Sequence, residues 1–476
     1  MNLAEIFKII DKIAKKQATP VYTVGGFVRD LLLGIEQKKD IDFVVVGSGL
    51  EFAREFDKKM KEEGSLVEFP DFDTARYIIM DNDEELVLEF AGARSESYRD
   101  TSRKPTVTPA TLSDDLSRRD FTINAMATEV NNFVFTKDKI NFKDKKKLID
   151  LFAGQIDLRE KTLRTPLSPD QTFIDDPLRM MRAIRFAGQL NFSIDSTALN
   201  SIHENADRLK IISGERIQEE LLKMLAIEQP SVCLTLMFQT GLLDYVLPEV
   251  SKLDGVEEIY GHQHKNNLIH TFKVVDNIAS KSDKILLRLA GLLHDIGKPR
   301  TKEFVPKIGW TFHQHEHYGK KLVFDVTNRL HFSKADAKYL GELVRWHQQP
   351  ISLMDKGITD SAVRRLVVNL KDNLEDLLIL GSSDITTGNP DKLKKRLKNY
   401  DKLRERIDEV LEKDKLREFQ SPVRGEEIMK ECGLKAGPVV GKIKKAIEEA
   451  ILDGKIPNEY EAAREYFMEI KDKYIK

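Results

Sequence analysis

Asp40 and Asp42 open the apolar run in KDIDFVVVG. On a β-strand, residues two apart point to the same face. Two carboxylates side by side repel each other, and a divalent cation between them removes the repulsion. Mg²⁺ is satisfied by a few carboxylates together with phosphate oxygens. The plainer reading of an isolated pair is two solvated charges at a strand entrance. Gly25 and Gly26, in VYTVGGFVRDLLLG just upstream, favour the metal. Paired glycines between a strand and a helix let a phosphate approach the backbone, and the helix start presents free N–H groups. Such a pair also serves for simple packing of the turn. Gly34 fits the helix stop.

A second constellation lies mid-chain. LLHDIGKPR carries His294–Asp295 at the end of an apolar helical pattern, and His270, His315, His347 and Asp384 surround it in sequence. Imidazole and carboxylate ligands on successive helices suit a transition metal, or a pair of metals with open positions. A lone His-Asp pair is more often a capped core histidine, but six ligand-type residues in that order argue for the metal. His313 and His317 flank His315 and are the alternatives at that step. Oxygen ligands at Asp40 and Asp42 suit Mg²⁺, whereas the mixed set suits Ni²⁺, Mn²⁺ or a similar ion.

The elements that must position these groups change character along the chain. Residues 1–150 mix helix with β-rich runs such as IDFVVVG, ARYIIM and LVLEF. From Leu151 the periodicity is helical almost throughout. The expected architecture is an α/β head, a small mixed sheet with helices, followed by an all-α body. With 476 residues the chain is too long for one core, and about three or four domains are expected. Hydrophobic residues at 41% and charged residues at 32% describe a globular protein. No run approaches a membrane span, and the N-terminal segment reads as an amphipathic helix rather than a signal peptide. Cys233 and Cys432 are too few for a disulfide scaffold and point to a reducing, cytoplasmic setting. A net charge of −2 excludes a globally basic nucleic-acid binder but not one that uses local patches.

Five motifs, in order, resemble the class II tRNA nucleotidyltransferases and bacterial poly(A) polymerases of the polymerase-β superfamily. They are GGFVRDLLLG with DIDFVVVG, RRDFTINAMA from Arg118, IDLFAGQIDL from Ile149, IDDPLRMMRAIRF, and GERIQEEL. The resemblance covers about the first 225 residues. It implies a polymerase-β-like head in which Asp40 and Asp42 hold two Mg²⁺ ions, with Glu89 as candidate third carboxylate. Gly25, Gly26 and Arg29 would lie against the phosphates, and Arg119, Asp120 and Asn124 against ribose and phosphates. Asp176–Pro177 is also a good helix start, and the Arg118–Asp120 cluster also reads as solvated charge. Arg179, Arg182 and Arg185 recur every third residue.

In the resembled family a pair such as Asp176 and Arg179 replaces a template. Cytosine and adenine each show an amino donor beside a ring-nitrogen acceptor; a carboxylate and a guanidinium complement that edge. Guanine and uracil present the reverse order. Asp175 stands where the family usually has Glu. The polar segment Arg94–Leu112 reads as a loop, which in the family helps switch from C to A addition.

The histidine set resembles the HD phosphohydrolase superfamily. The resemblance implies that His270, His294, Asp295 and Asp384 hold one metal and that His315 and His347 extend the site to a second. Some bacterial CCA-adding enzymes with such a domain are implicated in phosphatase or 2′,3′-cyclic phosphodiesterase activity. In the tail, the basic run Lys392–Lys398 reads equally as a solvated helix face. GLKAGPVVGKIKKAIEEAILDGKI again resembles the nucleotidyltransferases, with Gly437, Lys442 and Lys445 meeting RNA phosphates.

The expected domains are a head at 1–150, a nucleotide-reading neck at 151–240, an HD domain at 255–390 and an RNA-binding tail at 391–476. The expected activity is template-independent addition or repair of the tRNA 3′-terminal CCA from CTP and ATP. The expected partner is the tRNA acceptor arm, with no membrane and no obligate protein partner. The rivals are a poly(A) polymerase or a partial CC- or A-adding enzyme, an HD phosphohydrolase with an RNA-binding head, and a non-catalytic RNA-binding protein.

Overall fold

The computed structural model describes every residue except 1, 36–39, 61–62, 82–83, 100–101, 137–138, 260–261, 264–265, 357–358, 415–420 and 475–476. Contacts divide the chain into two compact units, Met1–Ile227 with Val232–Pro248 and Glu228–Ser231 with Glu249–Lys476. No described helix is long and apolar enough to cross a membrane.

The first unit is the expected α/β head followed by helices. Its order is α1 (Leu3–Gln17), β1 (Val21–Val24), α2 (Gly26–Leu33), β2 (Asp40–Val45), α3 (Gly49–Met60), β3 (Ser65–Phe69), β4 (Thr74–Asp81) and β5 (Glu84–Gly92). Then come β6 (Arg94–Arg99), β7 (Ser102–Pro109), α4 (Leu112–Ser117), β8 (Met126–Glu129) and β9 (Ile149–Asp150). Seven strands form one mixed sheet in the order β9-β8-β1-β2-β5-β4-β3. β2 runs parallel to β5 and antiparallel to β1.

Alternation along β2 sets the site. Ile41, Phe43 and Val45 are buried, while Asp40 and Asp42 stand on the other face. Phe43 stacks on Phe90 at 5.1 Å and meets Phe7 edge-on at 5.5 Å, in a core shared with α1 and α3. Each such ring contributes roughly 1.5–3 kcal/mol by burial, so a one-residue slip that exchanged the faces is excluded.

Arg94–Leu112 departs from the expected loop. Most of it is the antiparallel hairpin β6–β7, with Glu96 opposite Val107 and Ser97 opposite Thr106. Its β-branched Thr106, Val107 and Thr108 favour extended backbone despite the polar composition. The residues between the strands, 100–101, lie outside the described residues.

After the sheet come α5 (Pro169–Asp175), α6 (Leu178–Leu190) and α7 (Gly214–Leu225). In the second unit the main helices are α8 (Asn267–Ala279), α9 (Ile285–Leu293), α10 (His315–Arg329), α11 (Lys334–Trp346), α12 (Leu374–Ser383), α13 (Pro390–Asp414) and α14 (Pro438–Leu452). A short hairpin, Glu303–Val305 with Gly309–Thr311, interrupts the helical run. Gly309 has φ +96° and Lys307 φ +70°, backbone that a helix does not accept.

Asp73 joins α3 to the sheet. Its carboxylate accepts from Ser48 Oγ (2.7 Å) and from the amides of Gly49 (3.1 Å) and Leu50 (3.2 Å), and its carbonyl accepts from Gly92 N (3.0 Å). Asp73→Ala removes the cap of α3, and chemical denaturation should show a loss of roughly 2 kcal/mol.

Candidate active site and metal centre

The first unit holds a cleft of about 300 Å³ lined by Asp42, Glu89, Arg119, Asp176, Arg179 and Arg216, among others. Register explains its floor. Asp42 is the Cα partner of Val24 on β1 and of Glu89 on β5. Gly25 follows Val24 with φ +71°. A β-carbon there would lie 3.1 Å from Asp42 Oδ2 and 3.2 Å from Arg119 Nη1. Only glycine leaves that space open without backbone strain.

The floor is electrostatically crowded. Protein around Asp42 takes its carboxyl away from bulk water, and Glu89 and then Asp40 repel its charge. Arg119 and Arg182 oppose them, and the net result is a carboxyl pushed up to about 6. Solvent still reaches Asp42 through the cleft mouth. Glu89 is held by Arg76 Nε at 2.7 Å. Among the described residues, the carboxylate oxygens of Asp40, Asp42 and Glu89 do not all come within 4.8 Å of one another. The crowding is the feature that a bound cation would relieve.

A ring of paired arginines surrounds this floor. Asp115, buried, receives Arg118 (2.6 Å) and Arg119 (3.2 Å). Asp120 takes two bonds from Arg182 (2.8 and 2.7 Å) and one from the Asn124 amide (3.0 Å). Burial opposes its charge, but those partners hold Asp120 down at about 2. Arg29 is buried, donating to Asp30 (2.8 Å) and to Asn124 Oδ1 (2.8 Å). Arg29, Arg182 and Arg185 lie 5.1, 5.4 and 4.1 Å from the ring centre of Phe186. The every-third-residue arginine series therefore divides. Arg179 and Arg182 line the cleft, whereas Arg185 is buried against Glu220 at 2.7 Å.

Asp176 sits at the break between α5 and α6. Its Oδ1 accepts from Leu178 N (3.2 Å), the capping role, and its Oδ2 is 2.8 Å from Arg216 Nη2. Asp176 and Arg179 both line the cleft, and Arg179 acts on Asp120 through its charge. Arg216 was not singled out from sequence; its signal was the motif GERIQEEL. Arg76 was missed as well, because it meets Glu89 only through the β4–β5 register.

The second unit brings all six predicted HD residues together, as two triads: His270, His294 and Asp384, and Asp295, His315 and His347. Asp295 lies between the triads and is also 3.7 Å from His270 Nε2. Its Oδ2 is 3.1 Å from His294 Nε2 and its Oδ1 3.3 Å from His315 Nε2. His313 and His317 are exposed and outside the cluster. His294, His347 and Asp384 are the C-caps of α9, α11 and α12, so three helix ends turn their negative poles toward one point.

Second contacts aim the rings. Nδ1 of His294, His315 and His347 donates to the carbonyls of Gly291 (2.7 Å), Phe312 (2.8 Å) and Val344 (2.7 Å). His270 Nδ1 bonds Thr386 Oγ1 at 2.7 Å. Nε2 is left for the interior in each, the arrangement usual for metal-bound imidazole. His294 Nε2 is buried and lacks a well-aligned hydrogen bond despite its closeness to Asp295. His315 Nε2 and His347 Nε2 face each other at 3.2 Å. These residues fit a transition ion or a pair of them.

Burial disfavours charge on His294, but Asp295 and Asp384 outweigh it and hold its proton up to about 10. Burial and then His294 push His347 down to about 3. Asp295 is held well below the usual carboxylate range by His294 and Lys298 against the cost of burial. Lys298, 2.5 Å from Asp295 Oδ2, was not anticipated; its signal was its place one turn after Asp295. In the tail, Gly437 caps α14, Lys442 is exposed, and exposed Lys445 is 3.9 Å from Glu449.

Asp42 yields a pH test. Its folded value of about 6 lies above the ~3.9 of an unfolded aspartate, so its contribution to stability is present below ~4 and lost as pH rises through about 6. Mg²⁺ should therefore raise the melting temperature more at pH 8 than at pH 5, and Asp42→Asn should abolish that difference. An equal Mg²⁺ effect at both pH values counts against ion binding at Asp42.

Residues 21–164 match the poly(A) polymerase head domain, and 191–253 a segment described as an RNA and SrmB-binding site of polymerase A. Residues 267–380 match the HD domain, and 391–466 a second tRNA nucleotidyltransferase domain. The A-adding tRNA nucleotidyltransferase of Deinococcus radiodurans is 30% identical over 364 residues, 74% of this chain and 78% of that protein. The multifunctional CCA protein of Pseudomonas fluorescens is 34% identical over 334 residues, 68% of this chain and 73% of that protein. A solved tRNA nucleotidyltransferase complexed with a primer tRNA and an incoming ATP analogue is similar with a TM-score of 0.56 at 28% identity, over 83% of this chain and 98% of that chain. Motif order, sheet, cleft and relatives agree: the chain belongs to the tRNA nucleotidyltransferase family, as a nucleotidyltransferase that carries an HD domain.

Proposed function

We propose that this protein builds or repairs the 3′-terminal CCA of tRNA from CTP and ATP without a template. The observation that carries the reading is one cleft holding Asp42 on its floor together with Asp176 and Arg179. The segments 1–150, 151–240, 255–390 and 391–476 serve as catalytic head, nucleotide-reading neck, HD domain and RNA-binding tail, in a cytoplasmic enzyme.

Asp40 and Asp42 would hold Mg²⁺, with Glu89 beside them. Magnesium held there would supply Lewis-acid activation of the primer hydroxyl and charge neutralisation for the triphosphate. Transfer joins the primer 3′-oxygen to the α-phosphorus and breaks the bond to the β-phosphate bridging oxygen. Pyrophosphate leaves and the hydroxyl proton passes to solvent. Gly25 and Gly26 keep the phosphate approach open, and Arg119 supplies positive charge there.

Asp176 accepts from the exocyclic amine of C or A, and Arg179 donates to the neighbouring ring nitrogen. Arg216 keeps the Asp176 carboxylate oriented. Arg182, Asp120, Asn124 and Arg29 form a rigid brace behind the ribose and phosphates. Gly437, Lys442 and Lys445 contact phosphates of the acceptor arm. The six HD residues would hold one or two ions such as Ni²⁺ or Mn²⁺, which supply hydrolysis of a phosphoester.

A second reading, addition of the terminal A alone, is favoured by the name of the Deinococcus radiodurans relative. Transcripts ending before CCA, after C and after CC, each offered CTP and ATP separately and together, distinguish the two. CTP incorporation into the shortest transcript is expected. Extension of only the CC-ended transcript establishes A addition, and long homopolymeric A tails would establish poly(A) synthesis.

Arg179→Ala should reduce the preference for CTP and ATP over UTP and GTP by roughly 5–150-fold, the scale of an unmatched buried hydrogen-bonding edge of ~1–3 kcal/mol. Equal slowing with all nucleotides would assign Arg179 to phosphate binding. Asp295→Ala, shown folded by its melting curve, should remove Ni²⁺- or Mn²⁺-dependent hydrolysis of 2′,3′-cyclic nucleotides and leave nucleotide addition in Mg²⁺ intact.

A further inference from the structure

The row that carries Asp42 continues across the sheet beyond the cleft. Val24, Asp42, Glu89, Arg76 and Val67 are successive Cα partners on β1, β2, β5, β4 and β3. Strand alternation puts their side chains on one face. The opposite face of the outer strands is core, with Tyr77, Leu88 and Phe90 fully buried. The Asp42 face is open there: Val67 is 41% exposed, Phe69 38% and Met80 65%. The Arg76 side chain, 53% exposed, lies over the Phe69 ring at 5.6 Å while its Nε holds Glu89 at 2.7 Å. An aromatic ring and a guanidinium on an open sheet face suit stacking of single-stranded bases, and the guanidinium also suits a phosphodiester.

Reaction geometry says which molecule this face meets. Attacking and leaving oxygens lie roughly in line across the reacting phosphorus. With the triphosphate against Gly25 and Arg119, the pyrophosphate leaves on the β1 side of Asp42. The primer 3′-oxygen then arrives from the side of β5 and β4.

We propose that the open face formed by Phe69, Arg76, Val67 and Met80 seats the terminal unpaired nucleotides of the RNA primer. This inference rests on the reading of the cleft as a nucleotidyl-transfer site and adds where the primer lies. Phe69 and Arg76 stack its bases, Arg76 neutralises a phosphate, and the apolar side chains beside them exclude water.

The test is steady-state kinetics on the full chain with a tRNA transcript lacking its last nucleotides. Phe69→Ala and Val67→Glu should each raise the KM for transcript roughly tenfold, the scale of one lost base stack. The KM for the nucleotide should be unchanged, and Phe69→Trp should restore the transcript KM. A binding readout independent of catalysis uses 2-aminopurine as the transcript's terminal base. Its fluorescence should be quenched by the wild type and by Phe69→Trp, and much less by Phe69→Ala. An unchanged transcript KM with unchanged quenching in Phe69→Ala and Val67→Glu overturns the proposal. So does a rise in the nucleotide KM instead of the transcript KM. A wild type that quenches the probe but transfers nothing sinks the nucleotidyl-transfer reading while leaving the primer seat supported.

Discussion

Like-charge repulsion on the floor of the cleft is the constraint around which the first unit is arranged. Strand register sets Asp42 beside Glu89, with Asp40 two residues away on the same face. The apolar partners of that strand, Ile41, Phe43 and Val45, lock the register from behind. The fold therefore holds negative charge together by hydrophobic burial on the opposite side of the sheet. Arginines balance the charge without filling the gap: Arg76 takes Glu89, while Arg118 and Arg119 share Asp115. Arg118, Arg119, Arg182 and Arg216 of the cleft are each braced by a carboxylate. Such bracing fixes the guanidinium positions before any nucleotide arrives, which lowers the ordering cost of binding. Arg179 lines the same cleft and adds its charge to those that hold Asp120 ionised.

The HD cluster solves the same problem by another route. Strand register plays no part; helix ends do. His294, His347 and Asp384 cap three helices whose C-terminal poles favour positive charge. That preference is felt by the protons of the cluster, with His294 held charged and His347 kept neutral. An ion held there would compete with protons for the same imidazole and carboxylate atoms, so its binding would be coupled to proton release.

The residue sets of both sites were legible because they are local or ordered in sequence. The Asp-x-Asp step fixes a shared face once the run is a strand, and the neighbouring aliphatic residues make it one. The six HD residues were recognisable by type and order, although their mutual distances were not. Asp295 divides its two oxygens between triads that only the packing of five helices defines. Arg76 and Glu89 are 13 residues apart in a register no motif records. Arg216 reaches Asp176 across 40 residues. The hairpin Arg94–Pro109 was hidden by composition, since Ser, Arg and Pro outnumber its β-branched residues.

The two sites also differ in what destroys them. The cleft depends on the separation between backbones, because Gly25 leaves barely 3.1 Å between a would-be methyl and Asp42. Small displacements of β1 against β2 are felt directly at the carboxylate. The HD cluster depends instead on side-chain direction, secured by one outward hydrogen bond from each ring. Loss of one such bond frees a ring without moving a helix. Mutational damage to the first site should thus follow backbone and packing changes in the sheet. Damage to the second should follow single hydrogen-bond partners such as the Thr386 hydroxyl, whose removal leaves His270 Nδ1 without its partner.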